Sequence, residues 1–407
     1  MEKELVRLVE FGFSWWAWWG RIVSCAPVGN RRWTANGKRR QAGYQPAAGC
    51  QPAPQAGTFR PCILLTTLAL LNCLALAQTP ARIRPGAVWL DTSGKPIQAH
   101  GGGILLHGGV YYWYGEDKTL GNGNKTGVSC YSSRDLVNWK RESLALPKDA
   151  VPEEFRDNGI CERPKVIYNP ATKKYVMWMH LDDRRYAISS AGVAVSDNPT
   201  GPFRFLRSFR PIQYDFGFAD NDRTRQAELG STFRDMNLFV DDDGRAYVFY
   251  AAEGNPTMYV VRLSADFTGI ETPPVQGKTW ERILVGQSRE GPAPFKYDGT
   301  YYLITSGTTG WDPNPASYSV AANILGPWTK KDNPCVGDGR QTTFDSQSTF
   351  VLPAPGKPAG EFIYMGDRWL RNNLADSRYV WLPFRIQQDG SFAISWRDEW
   401  DPAPTAR

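Results

Sequence analysis

Five polar side chains stand at matching places along the chain: His100, Glu162, Asp235, Glu290 and Gln347. Each precedes an aromatic-rich stretch by 11–15 residues, counted to Tyr111, Tyr175, Tyr247, Tyr301 and Phe362. Their contexts are Ala99-His-Gly, Cys161-Glu-Arg-Pro, Arg234-Asp-Met-Asn, Arg289-Glu-Gly-Pro and Ser346-Gln-Ser. The small or rigid neighbours let backbone approach a ligand. A single carboxylate at a strand end is ordinarily a solvated rim group. Carboxylates that converge on one axis behave differently, because crowding raises the pKa of one and leaves another ionised. A protonated acid beneath a leaving oxygen, with a group opposite that places water, is the arrangement that cleaves a glycosidic bond.

These residues must be carried by strands. Residues 78–407 are short of long amphipathic helical runs and rich in β-branched and aromatic stretches bounded by turn residues. Five stretches share one pattern, a tight polar turn followed by a strand: His107–Glu116, Ala171–Met179, Asp242–Tyr250, Tyr297–Thr305 and Pro358–Met365. The steps between their aromatic anchors are 64, 72, 54 and 61 residues. A second pattern, centred on Asp135, Asp197, Asp266 and Asn323, follows the anchors by 19–24 residues. Self-similarity at a long period marks a repeat architecture, and a multi-stranded unit repeated five times predicts an all-β, five-bladed β-propeller. The innermost strand of each blade lines the channel, so the five polar residues converge there.

The Glu162-Arg-Pro, Arg234-Asp-Met-Asn-Leu-Phe-Val-Asp-Asp-Asp-Gly244 and Glu290-Gly-Pro segments resemble glycoside hydrolase family 43, a family of inverting five-bladed propellers. The Asp345-Ser-Gln-Ser-Thr349, Tyr364-Met-Gly-Asp-Arg-Trp369 and His100-Gly-Gly-Gly segments resemble its exo-β-1,3-galactanase group, over roughly residues 85–400. The resemblance implies that Glu290 is the general acid and that Glu162 tunes and orients it. The wider family places an Asp base in the first blade, where this chain reads Gln98-Ala-His-Gly with no carboxylate. As in the galactanase group, Gln347 is then expected to hold the attacking water, whose proton leaves by a relay or through an imidic tautomer. The resemblance assigns Glu116, Tyr186, Asp235, Glu281, Thr308, Asp367, Trp369 and His100 to the sugar pocket. It implies release of galactose, with inversion, from β-1,3-galactan such as an arabinogalactan backbone. An arabinofuranosidase, a β-xylosidase or a non-catalytic galactan-binding propeller are the alternatives. The family often holds a calcium through a late histidine, whereas His100, His107 and His180 all fall in the first half. No metal or other cofactor is expected.

The formal charge of +6 lies wholly in residues 1–61, which carry nine basic and three acidic side chains. Residues 78–407 hold 38 of each sign, so nothing there calls for nucleic acid. Cys62–Leu74 is an apolar run after Arg60, ending in Ala75-Leu-Ala77, the pattern of an export signal cleaved after Ala77. It falls short of the roughly 20 residues a bilayer span needs. Residues 1–56 are read as an extension outside the fold, 57–77 as the signal and 78–407 as the propeller of a secreted or periplasmic monomer. Cys130, Cys161 and Cys335 remain after the signal, an odd number that excludes a disulfide framework and leaves either one pair or three buried thiols.

Overall fold

The computed structural model describes residues 82–213 and 230–402. The expected extension and export signal lie outside the described residues, as does the whole basic excess. Five antiparallel sheets follow one another in chain order as the blades of a β-propeller. Blade one holds β1 (His100–His107), β2 (Val110–Asp117), β3 (Gly127–Ser133) and β4 (Lys140–Pro147). Blade two holds β5 (Ile160–Asn169), β6 (Lys174–Asp182), β7 (Ser190–Ser196) and β8 (Arg204–Phe209). Blade three holds β9 (Arg234–Val240), β10 (Ala246–Ala252), β11 (Thr257–Arg262) and β12 (Trp280–Ile283). Blade four holds β13 (Arg289–Tyr297), β14 (Thr300–Gly307), β15 (Ser317–Ala321) and β16 (Thr329–Lys330). A short parallel pair, β17 (Cys335–Val336) with β21 (Ile394–Ser395), precedes and follows blade five. Blade five itself is β18 (Gln347–Pro353), β19 (Glu361–Arg368) and β20 (Arg378–Arg385).

Each aromatic stretch is the second strand of its blade, packed on both faces. That is why Val176–Met179 and Ala246–Ala252 read as unbroken buried runs without alternation. Five apolar clusters fill the gaps between neighbouring blades, one per gap. The recurring Asp or Asn of the second pattern sits in the turn between third and fourth strands. Asp135 accepts the amides of Val137 and Asn138, Asp266 that of Thr268, and Asn323 that of Leu325. Cys130, Cys161 and Cys335 are free and buried, which leaves three thiols and no pair.

The inner strands share a further device. Each carries a β-bulge with one extra residue: His100–Gly103, Glu162–Lys165, Arg234–Asn237, Glu290–Ala293 and Ser348–Phe350. Left-handed backbone accompanies four of them, at Gly101, Arg163, Asp235 and Gly291. A bulge bends the strand and re-aims the side chains beside it. Repeated five times, it turns strand ends toward a common axis.

Candidate active site

The pocket at this end of the channel has a volume of about 210 Å³. Glu162, Asp235, Glu290, Gln347, Glu116, Tyr186 and Trp369 line it as the sequence suggests. Glu290 opens β13 and is buried; its Oε1 accepts Gln347 Nε2 at 2.8 Å. Burial, reinforced by the charge of Asp235, pushes its carboxyl up to about 8 against the pull of Arg163. Glu162 on β5 is its opposite. Burial alone would raise it, but hydrogen bonding and charge from His180, with help from Lys118 and Tyr186, outweigh this and hold it below the usual carboxylate range. Tyr186 donates its hydroxyl to Glu162 Oε1 at 2.8 Å, and His180 Nδ1 lies 3.4 Å from Oε2. The pocket therefore keeps one carboxyl protonated and another ionised.

Several pocket residues were not among those the sequence singled out. Arg163 is the hub. Its amide donates to Glu116 Oε1 at 3.0 Å, and its guanidinium reaches Asp235 Oδ2 (3.2 Å), the Ser348 carbonyl (3.0 Å) and Gln347 Oε1. His180 is clamped between Glu162 and Asp182, its Nε2 3.1 Å from Asp182 Oδ2. Burial pulls the imidazole down, but the two carboxylates push it up to about 9. Asn255 and Trp311 complete the rim, the Trp311 ring standing edge-on to Trp369 with centroids 5.3 Å apart. A signal for His180 existed: it follows its aromatic anchor by the same five residues as Glu116 and Asp367 follow theirs.

Gln347 is more tightly held than water placement requires. Its Oε1 faces two groups that can only donate, Arg163 Nη2 and Trp369 Nε1 (2.9 Å). Its Nε2 gives both hydrogens away, to Glu290 Oε1 and to Ser306 Oγ at 3.0 Å. The side chain stands as an amide whose ligand-free task is to orient Glu290.

Four expected pocket residues fall elsewhere. His100 and Asp367 bind each other: Asp367 accepts His100 Nδ1 at 3.1 Å and the Gly101 amide at 2.7 Å, joining blades five and one. The His100 ring lies fully buried, stacked on Tyr379 at 5.0 Å. Glu281 sits on β12, the outermost strand of blade three, with its carboxylate taken by Gln276 and the Arg282 amide. Thr308 follows β14, but the loop after it presents Gly310 and Trp311 to the pocket instead. Burial removes His100 from the substrate space and position on an outer strand removes Glu281, whereas Asp367 borders an adjoining recess with Gln347 and Trp369.

A propeller whose channel mouth pairs a neutral with an ionised carboxyl is the form of a glycoside hydrolase. The model of the Glycosyl hydrolases family 43 matches residues 102–349, and the chain belongs to that family. Among solved structures, a family 43 β-1,3-galactosidase with galactodeoxynojirimycin is 42% identical, with a TM-score of 0.71, over 78% of this chain and 100% of that one. An exo-β-1,3-galactanase from Clostridium thermocellum is 38% identical with a TM-score of 0.70, over 79% of this chain and 67% of that one. The exo-β-1,3-galactanase from Phanerochaete chrysosporium with galactose is 36% identical with a TM-score of 0.67, over 79% and 68%. An arabinoxylan arabinofuranohydrolase of Paenibacillus polymyxa is 25% identical over 313 residues, 66% of this chain and 44% of that protein. The chain spans less than half the length of the curated relatives it matches.

Proposed function

We propose that this glycoside hydrolase is an exported exo-β-1,3-galactanase that releases galactose with inversion from β-1,3-galactan or arabinogalactan. The observation that carries the reading is the split between Glu290, held neutral, and Glu162, held ionised, in one pocket. The likeness to galactanases at 36–42% identity supplies the substrate. Water attacks the anomeric carbon, the glycosidic C–O bond breaks, and the leaving oxygen takes the Glu290 proton. Glu162 stays charged and favours the positive character that develops on the sugar ring. A hydroxyl on Gln347 Oε1 would face two donors and no acceptor, which disfavours an imidic tautomer. The proton lost by water then passes along a hydrogen-bonded relay to solvent, and solvent returns a proton to Glu290 after the product leaves.

The reading includes no metal. Ligand atoms of Glu162, His180 and Asp235 come within 4.8 Å of one another. Both His180 nitrogens, however, point at carboxylates, Nδ1 at Glu162 Oε2 (3.4 Å) and Nε2 at Asp182 Oδ2 (3.1 Å), rather than at a shared ion position. The Cys62–Ala77 run supports export. Incubation with β-1,3-galactan, arabinoxylan and aryl glycosides tests the whole reading. Free galactose from the first alone is expected, with the anomeric signal of fresh product inverted by NMR. Arabinose or xylose release would assign a different family activity, and binding without turnover would make this a lectin-like propeller.

A further inference from the structure

The acid needs a place for its proton, and the Asn255 amide supplies it. Asn255 lies between β10 and β11, with its Nδ2 a long 3.4 Å from Glu290 Oε2. Its Oδ1 is buried and finds no partner among the described residues. The other oxygen of Glu290 is already defined: Oε1 accepts from Gln347 Nε2, whose orientation Arg163 and Trp369 dictate. Oε1 is thus the carbonyl oxygen of the acid, and the proton sits on Oε2, the atom facing Asn255. An N–H donor and an O–H donor cannot both point along one line. A half-turn of the Asn255 amide removes the conflict and gives the orphaned Oδ1 its partner.

We propose that Asn255 is a positioning residue whose Oδ1 accepts the Glu290 Oε2–H hydrogen bond and aims the proton at the leaving oxygen. This rests on Glu290 being the general acid. The charged groups facing Glu290 are Asp235 from β9, Arg163 and Glu162 from β5, and Arg289 beside it on β13; β18 and β14 present the neutral Gln347 and Ser306.

The sign of one pH shift decides the matter. An acceptor for the O–H stabilises neutral Glu290, so losing it lowers the acid's pKa; a donor to the carboxylate does the reverse. Asn255 has φ 90°, a backbone that glycine adopts freely, so Asn255→Gly is the deletion to make. The alkaline limb of its kcat/KM profile should move down by about half to one pH unit, with kcat reduced and melting temperature retained. Asn255→Asp keeps an acceptor and should recover most of kcat, with the limb moved up by the added charge. An upward shift or an unmoved limb in Asn255→Gly overturns the proposal, as does an Asn255→Asp variant no better than Asn255→Gly. Undiminished activity in Glu290→Gln overturns the acid assignment itself, a result independent of the Asn255 shift.

Discussion

Glu290 owes its chemistry to what surrounds it. A buried carboxyl next to Asp235, with its proton retained to about pH 8, is an acid that works at neutral pH. Activity should therefore hold through neutrality and fall as pH rises through about 8. On the acid side it should fall only where Glu162, held below the usual range, takes up a proton. Glu290→Gln should lose about 10²- to 10⁴-fold in kcat while binding galactose oligomers unchanged. An alkaline limb near pH 6 would contradict the assignment. The two carboxylates facing the His180 nitrogens make a second prediction. Dialysis against a strong chelator should leave kcat within twofold, and restored activity on adding calcium would contradict it. Glu162, Asp235, Glu290 and Gln347 were legible because they recur at one phase of the repeat; His100 shares that phase, but its ring is buried against Tyr379. His180 was equally legible by its phase, whereas Arg163 and Asn255 were not. Their roles depend on side-chain reach across blades, which no spacing along the chain encodes.

At the scale of strands, the five bulges do the aiming, and they put the inner ring under close packing. Lys165, one bulge beyond Glu162, is buried with Nζ donating to the Gly101 carbonyl at 2.7 Å. Burial first, then the charge of Arg163, pulls its ammonium down to about 7. In the unfolded chain the same amine stays protonated to about pH 10. Between these values the unfolded state binds the extra proton, so this group's contribution to stability rises with pH. Lys165→Met removes that dependence. Its stability relative to the unsubstituted protein should worsen by about 2 kcal/mol between pH 6 and 9, measured by urea melts. A difference independent of pH would show that the amine stays protonated in the folded protein through pH 9. Gly115 on β2 tests the packing directly. A Cβ there would fall on the Ala99 backbone, so Gly115→Ala should cost about 3 kcal/mol. Strand identity was readable from aromatic runs and turn residues. The bulges were not, because an extra residue in one strand leaves no mark on hydrophobic pattern alone. Glu281 shows the same limit: its place on an outer strand depends on how far the chain winds out before β12.

Across the whole molecule, a propeller has to close its ring, since five cores lie between blades and one of them joins the last blade to the first. Closure falls to the segment before β1. Ile83 exchanges two backbone hydrogen bonds with Trp400, at 2.9 and 3.0 Å, and the Gly86 amide reaches the Tyr379 carbonyl on β20 at 2.7 Å. Trp89 then packs against Trp113 of blade one and Tyr379 and Trp381 of blade five, with centroids 6.2, 5.5 and 5.0 Å apart. The exposed Arg82–Glu399 pair adds little in water. The sequence showed that basic residues 1–61 stand apart from a neutral chain, but not that residues 83–89 are the clasp, because their partners lie some 300 positions away. Two truncations separate these readings. A chain beginning at Gln78 should match the full chain in melting temperature and in galactose release. A chain beginning at Leu90 loses the Ile83 bridge and the Trp89 contacts, about 3 to 5 kcal/mol, and should melt roughly 5 to 10 °C lower. Its channel mouth should suffer as well, since the His100–Asp367 tie spans the same seam and holds blade one, with Glu116, against blade five, with Gln347. If the Leu90 chain keeps both stability and turnover, the closure lies elsewhere. If the Gln78 chain loses them, residues before it belong to the folded enzyme after all.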